Sequence, residues 1–97
     1  MTKLQNVEYY FKTTDGYVSK ETDESGRYAI IPTRSDYPLE FLRRNVELLC
    51  VNSVAEVNLL RVSRFLPLGY TVIEVATEVE VKVTESTFMD VYNRRIQ

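Results

Sequence analysis

Residues 71–84 read TVIEVATEVEVKVT. One alternate set is Ile73, Val75, Thr77, Val79, Val81 and Val83; the other is Val72, Glu74, Ala76, Glu78, Glu80 and Lys82. A period of two marks a strand with one dry face and one wet face. A helix would gather Val72, Ala76, Val79 and Val83 but strand Ile73 and Val81 on the wrong side. It would also crowd a run of β-branched side chains. The stretch is therefore read as a strand, dry on the Ile73 side. Its length raises a difficulty. At about 3.3 Å per residue it would span roughly 46 Å, whereas a compact domain of this size is roughly 32 Å across. Either it bends near Ala76–Thr77, or one end projects as an edge for another chain. The second case predicts a homodimer through strand 71–84.

Upstream, Val7–Phe11 and Tyr17–Lys20 flank Thr13-Thr14-Asp15-Gly16. Asp-Gly between β-rich runs signals a hairpin with Asp15 and Gly16 at its tip. That register sets Thr14 opposite Tyr17 and Lys12 opposite Ser19. One face then carries Val7, Tyr9, Phe11, Thr13 and Val18; the other carries Glu8, Tyr10, Lys12, Thr14, Tyr17 and Ser19. A polar loop, Glu21–Gly26, leads to a third strand, Arg27–Ile31, closed by Pro32. Three strands on short links imply an antiparallel meander.

Asp36-Tyr37-Pro38 opens a helix expected to run to about Cys50 or Val51, with Leu39, Leu42, Val46 and Leu49 inward. Its Arg43 and Arg44 have Glu40 and Glu47 in pairing range. Residues 53–65 fit both a helix and a strand. The capping box Ser53-Val54-Ala55-Glu56 favours the helix, which would put Ala55, Leu59, Val62 and Leu66 on one face. A second capping signature, Thr87 with Asp90, starts a C-terminal helix whose Phe88, Val91, Tyr92 and Ile96 share a side. The fold class expected is α+β: a mainly antiparallel sheet, built from the N-terminal three-strand meander and the long C-terminal strand, packed on two or three helices.

The 97 residues, 44% hydrophobic and 27% charged, suit a single domain (1–97) with one core. A net charge of −2 provides no bulk attraction to nucleic acid or anionic lipid. No apolar run reaches the ~20 residues of a membrane helix, and the N-terminus lacks the apolar region of a signal peptide. With one cysteine no internal disulfide forms, so a cytoplasmic home is expected, that of a host cell if the gene is viral. The size matches small accessory proteins of phages and plasmids.

There is no histidine, which removes the commonest neutral-pH base and metal ligand. No phosphate-binding glycine loop or nucleophile elbow appears. Cys50 reads as a small hydrophobe on the helix face. No catalytic residue, cofactor or metal is expected. The function expected is a non-enzymatic protein-binding module, such as a small regulator or inhibitor that occupies a partner's surface. Its contact residues would be Tyr10, Lys12 and Tyr17 on the wetter hairpin face and Glu74, Glu78 and Glu80 on the wet side of the long strand. Those acids are read first as a plain solvated face, with arginines of the same chain as a further use, and the tyrosine face equally suits a core.

Two alternatives stand beside this. A nucleic-acid-binding regulator would use Arg61 and Arg64, with Asn58 and Asn52, in a helix-turn-helix-like stretch over 47–60. Arg61 and Arg64 attract notice because no local acid answers them. A structural or assembly subunit would self-associate through sheet edges.

Overall fold

The computed structural model describes residues 6–32, 47–77 and 81–96. Five strands form one antiparallel sheet: β1 (Asn6–Thr13), β2 (Gly16–Thr22), β3 (Tyr28–Pro32), β4 (Thr71–Thr77) and β5 (Val81–Ser86), in the order β3-β2-β1-β4-β5. Two helices complete the described residues, α1 (Val54–Ser63) and α2 (Phe88–Ile96). The α+β class and the antiparallel meander are as expected. The helix expected over 36–50 falls largely outside the described residues, as do Glu78 and Glu80.

The stretch 71–84 resolves its own length problem by breaking after Thr77. β5 turns back on β4, with Val75 opposite Val83 and Thr77 opposite Val81. The pairing is internal, so the argument for a homodimer through one long strand falls. The dry and wet faces also need correction. Val72, Ile73, Glu74, Val75 and Ala76 are all buried, because β4 lies inside the sheet and is covered on both sides.

One core joins Tyr9, Phe11, Val18 and Val72 to Val57 of α1 and Phe88 and Val91 of α2. A second, across the sheet, joins Tyr10, Tyr17, Ile73, Val75 and Leu48, with Ile31 against it. The supposedly wet hairpin face is therefore core.

The tip of the first hairpin is one residue earlier than Asp-Gly suggests. Thr13 pairs with Gly16 and Lys12 with Tyr17, so Thr14 and Asp15 make the turn. The Thr13 hydroxyl accepts from the Asp15 amide at 3.1 Å and donates to the Gly16 carbonyl at 3.3 Å. Gly16 serves a different need. At φ 149° it sits so close to β3 that a Cβ would lie 2.1 Å from the Ile31 carbonyl oxygen.

Beyond these two pairs β1 and β2 part, and residues 47–51 fill the gap. Leu48 bridges to Ser19 on β2 and Val51 bridges to Tyr9 on β1. The bonds are Leu49 N–H to Val18 C=O at 3.0 Å, Lys20 N–H to Glu47 C=O at 2.9 Å, and a reciprocal pair between Tyr9 and Val51. Ser19 adds a side-chain bond to the Glu47 carbonyl at 3.2 Å. The expected helix therefore does not reach Cys50. Residues 47–51 are a wedge, sending Leu49 into one core and Leu48 into the other.

The capping box forms at α1. Ser53 accepts from the Glu56 amide at 3.2 Å, and the Glu56 carboxylate accepts from the Asn52 amide at 2.8 Å. The helix reading of 53–65 holds, but of its expected inward side only Leu66, beyond the helix end, is buried. Val57 is buried, flanked by Val54 and Leu60, whereas Ala55, Leu59 and Val62 are exposed. At α2, Thr87 accepts from the Asp90 amide at 3.3 Å, as its signature predicts.

Candidate functional site

The hairpin tyrosines are not available to a partner. Tyr10 is 3% exposed and Tyr17 is 4% exposed. The Tyr10 hydroxyl donates to the Glu8 carboxylate at 3.0 Å, and the Cys50 thiol donates to the same oxygen at 3.8 Å. Burial, then Cys50 and Glu8, push the Tyr10 ionisation far above its ordinary value of 10.0. Cys50 is itself an exposed residue outside any helix. Its thiol is nonetheless pushed up, by desolvation of the sulfur and by the Glu8 carboxylate. An activated thiolate needs the opposite shift, so the Cys50 thiol and the Tyr10 phenol both keep their protons near neutral pH.

Lys12 lies 4.0 Å from Glu85 and 6.0 Å from the centre of the Tyr17 ring. Glu74 is buried on the helix side of β4, where Arg94 of α2 reaches it at 3.6 Å. Of the two expected uses for that acid, the one answered by an arginine of the same chain applies. The contact set Tyr10, Lys12, Tyr17 and Glu74 thus does not form an exposed surface.

The helix-turn-helix reading meets a similar correction. Its first helix would need residues 47–50, which are extended. Ser53 is engaged as a cap, and Asn52 gives its amide to Glu56. Asn58 accepts from Arg61 Nε at 3.2 Å and Nη2 at 2.9 Å. The Arg61 guanidinium also lies 4.7 Å from the centre of the Phe88 ring, a cation–π distance. This is the local partner that the sequence did not reveal.

What the surface does offer lies around α1. Four large apolar side chains on or just after it are well exposed: Leu59 65%, Val62 56%, Phe65 47% and Leu68 81%. Leu59 and Val62 stand three apart on the outer side, opposite buried Val57. At the C-terminal end of the helix, Arg61 and Arg64 meet Arg27 of the β2–β3 loop around a cleft of about 350 Å³. Burial raises the ionisation of Tyr70, which lines this cleft, while the nearby Arg61 charge opposes the rise. Its hydroxyl is thus a neutral donor at physiological pH.

Sequence reasoning singled out Arg61 and Arg64 but missed Arg27. The only signal for Arg27 was its position directly after the acidic turn Asp23-Glu24-Ser25-Gly26. Among the described residues no group of three or more His, Cys, Asp or Glu is placed to hold a metal. No described helix is long and apolar enough to cross a membrane. Compared with protein-family models, curated proteins and solved structures, the chain matches none.

Proposed function

We propose that this chain is a non-enzymatic protein-binding module, acting by occupying a partner's surface as a small regulator or inhibitor does. The partner meets the outer face of α1 rather than the hairpin tyrosines. The observation that carries this reading is the exposed set Leu59, Val62, Phe65 and Leu68. Large apolar groups concentrated on one helix and its following turn are the usual ground of recognition. Three arginines, Arg27, Arg61 and Arg64, lie at the same end of the helix. Arginine is enriched at interfaces, and its positive charge asks for an anionic counterpart. The occupant is therefore a protein segment carrying apolar side chains beside an anionic group. The lone thiol of Cys50 suits a reducing compartment.

A photo-crosslinking side chain placed at Leu59 or at Val62, in the cell of origin, tests the surface. The same single protein should be captured from both positions. It should not be captured from Glu21, which is exposed on β2. Leu59→Ser with Val62→Ser should abolish capture while the circular dichroism spectrum is unchanged. Equal capture from Glu21, or capture that survives the double substitution, would show the face to be wrong.

A further inference from the structure

The cleft at the end of α1 brings together charges from separate places in the chain. Arg27 comes from the β2–β3 loop, Arg61 from the last turn of α1 and Arg64 from its C-cap. Leu66, Pro67, Leu68, Gly69 and Tyr70 form the remaining wall. We infer that this cleft, lined by Arg27, Arg61, Arg64 and Tyr70, binds a phosphate monoester borne on a side chain of the partner. The inference rests on the reading that a protein partner meets this side of α1, and it names the anionic group that partner carries.

Four observations support it. First, these guanidinium groups form no ion pair among the described residues, whereas Lys12 and Arg94 each face a carboxylate. The Asp23 ionisation is lowered first by hydrogen bonding from Ser25 and least of all by the Arg27 charge. That carboxylate is engaged within its own turn, accepting from the Ser25 amide at 2.8 Å and the Arg27 amide at 3.3 Å. Second, Arg61 is held in place by the Asn58 carbonyl and the Phe88 ring. A donor fixed beforehand loses less freedom on binding.

Third, Arg64 adopts φ 61° and ψ 25° at the C-cap, a left-handed position where glycine or asparagine is usual. It is the single non-glycine residue of positive φ among the described residues. Helix-dipole compensation accounts for basic residues in a last turn. It does not account for a third arginine arriving from another loop. Fourth, the exposed glycine beside the cleft leaves open space. A Cβ built on Gly69 would meet nothing within 4 Å.

Guanidinium forks match phosphate oxygens in pairs. A monoester carries about −1.5 to −2 charges near neutral pH, which suits a cleft lined by three arginines. A nucleic-acid backbone, with one charge per phosphate, asks instead for a track of cations along the strand. The apolar wall of Pro67, Leu68 and Tyr70 favours a phosphate carried on a ring, as in phosphotyrosine.

The test is an amide NMR titration of the full chain with phenyl phosphate. Saturable shifts are expected at the amides of residues 64–66 and 68–70. Arg27→Gln and Arg64→Gly should each weaken binding by roughly tenfold or more, the scale of one charge-assisted hydrogen bond. Arg64→Gly separates binding from folding, because glycine relaxes the cap and should leave stability equal or higher. The absence of saturable shifts, or unchanged affinity in both variants, overturns the inference. So does equal binding of benzenesulfonate, a monoanion, or tighter binding of oligothymidylate at the same amides. A phosphotyrosyl peptide should bind more tightly than adenosine monophosphate; the reverse order overturns the partner-borne source. Leu59→Ser with Val62→Ser should leave phenyl phosphate binding intact, so the cleft and the apolar face fail or stand separately.

Discussion

Val51 exchanges two backbone hydrogen bonds with Tyr9, N–H to C=O at 3.1 Å in one direction and 2.7 Å in the other. Through this pair the wedge 47–51 completes the edge of β1 that β2 leaves. Val51→Pro removes the Val51 donor and with it the bond to the Tyr9 carbonyl. A loss of about 2–3 kcal/mol is expected in urea denaturation, with Val51→Thr much milder because it keeps the N–H. In hydrogen exchange, the amides of Tyr9, Lys20, Leu49 and Val51 should be protected together and should be released together in the proline variant.

The approach of Gly16 to Ile31 yields a second expectation. A methyl group at residue 16 would collide with backbone, which cannot rotate aside. Gly16→Ala should cost about 3 kcal/mol or more, from overpacking and the positive φ combined. Asp15→Ala, at an exposed turn position, should cost much less. Equal thermal shifts for the two would mean that the turn, not the contact with β3, makes glycine necessary.

Glu74 and Arg94 tie α2 to the inner strand β4. Arg94→Ala removes one partner of a buried carboxylate, while the arginine itself is 40% exposed. Solvent screening reduces the effect, to about 1–2 kcal/mol. Arg94→Lys should recover part of it. Chemical denaturation of the three proteins orders them, and Arg94→Ala as stable as wild type would leave α2 held by its apolar side alone.

Alkaline behaviour follows from the buried tyrosines. Tyr10, Tyr17 and Tyr70 are each raised above 10.0, first by burial. The folded chain thus holds these protons at pH values where the unfolded chain releases them. Their contribution to stability is complete below pH 10 and is lost as pH rises beyond it. Tyrosinate absorbance should show at least these three of the seven tyrosines ionising late, in step with unfolding. Tyr10→Phe should reduce the alkaline loss. Tyr10→Ala with Tyr17→Ala empties one core and should unfold the chain rather than spare it.

The strands were legible because β-branched and aromatic residues alternate with polar ones, and the caps because Ser53-Glu56 and Thr87-Asp90 carry their own geometry. The inward side of α1 was not. Both Val54-Val57-Leu60 and Ala55-Leu59-Val62 have helical spacing, so only the sheet decides which is covered. The wedge was hidden for a related reason. Glu47-Leu48-Leu49-Cys50-Val51 continues a helical pattern locally, while its strand partners are distant in sequence. At the candidate site, the lack of local acids exposed Arg61 and Arg64. Arg27 joins them only through tertiary structure, and the contact of Arg61 with Phe88 crosses from α1 to α2.

The wedge also sets an order of events. The Thr13–Gly16 turn can close within a few neighbours, but Ser19 meets Glu47 across 28 residues and Glu8 meets Cys50 across 42. Closing such loops is slow compared with forming a hairpin. On a ribosome, β1 and β2 therefore emerge as a fork zipped only at its tip. The fork's open prongs wait, with their amides in water, until the chain has been made past Val51.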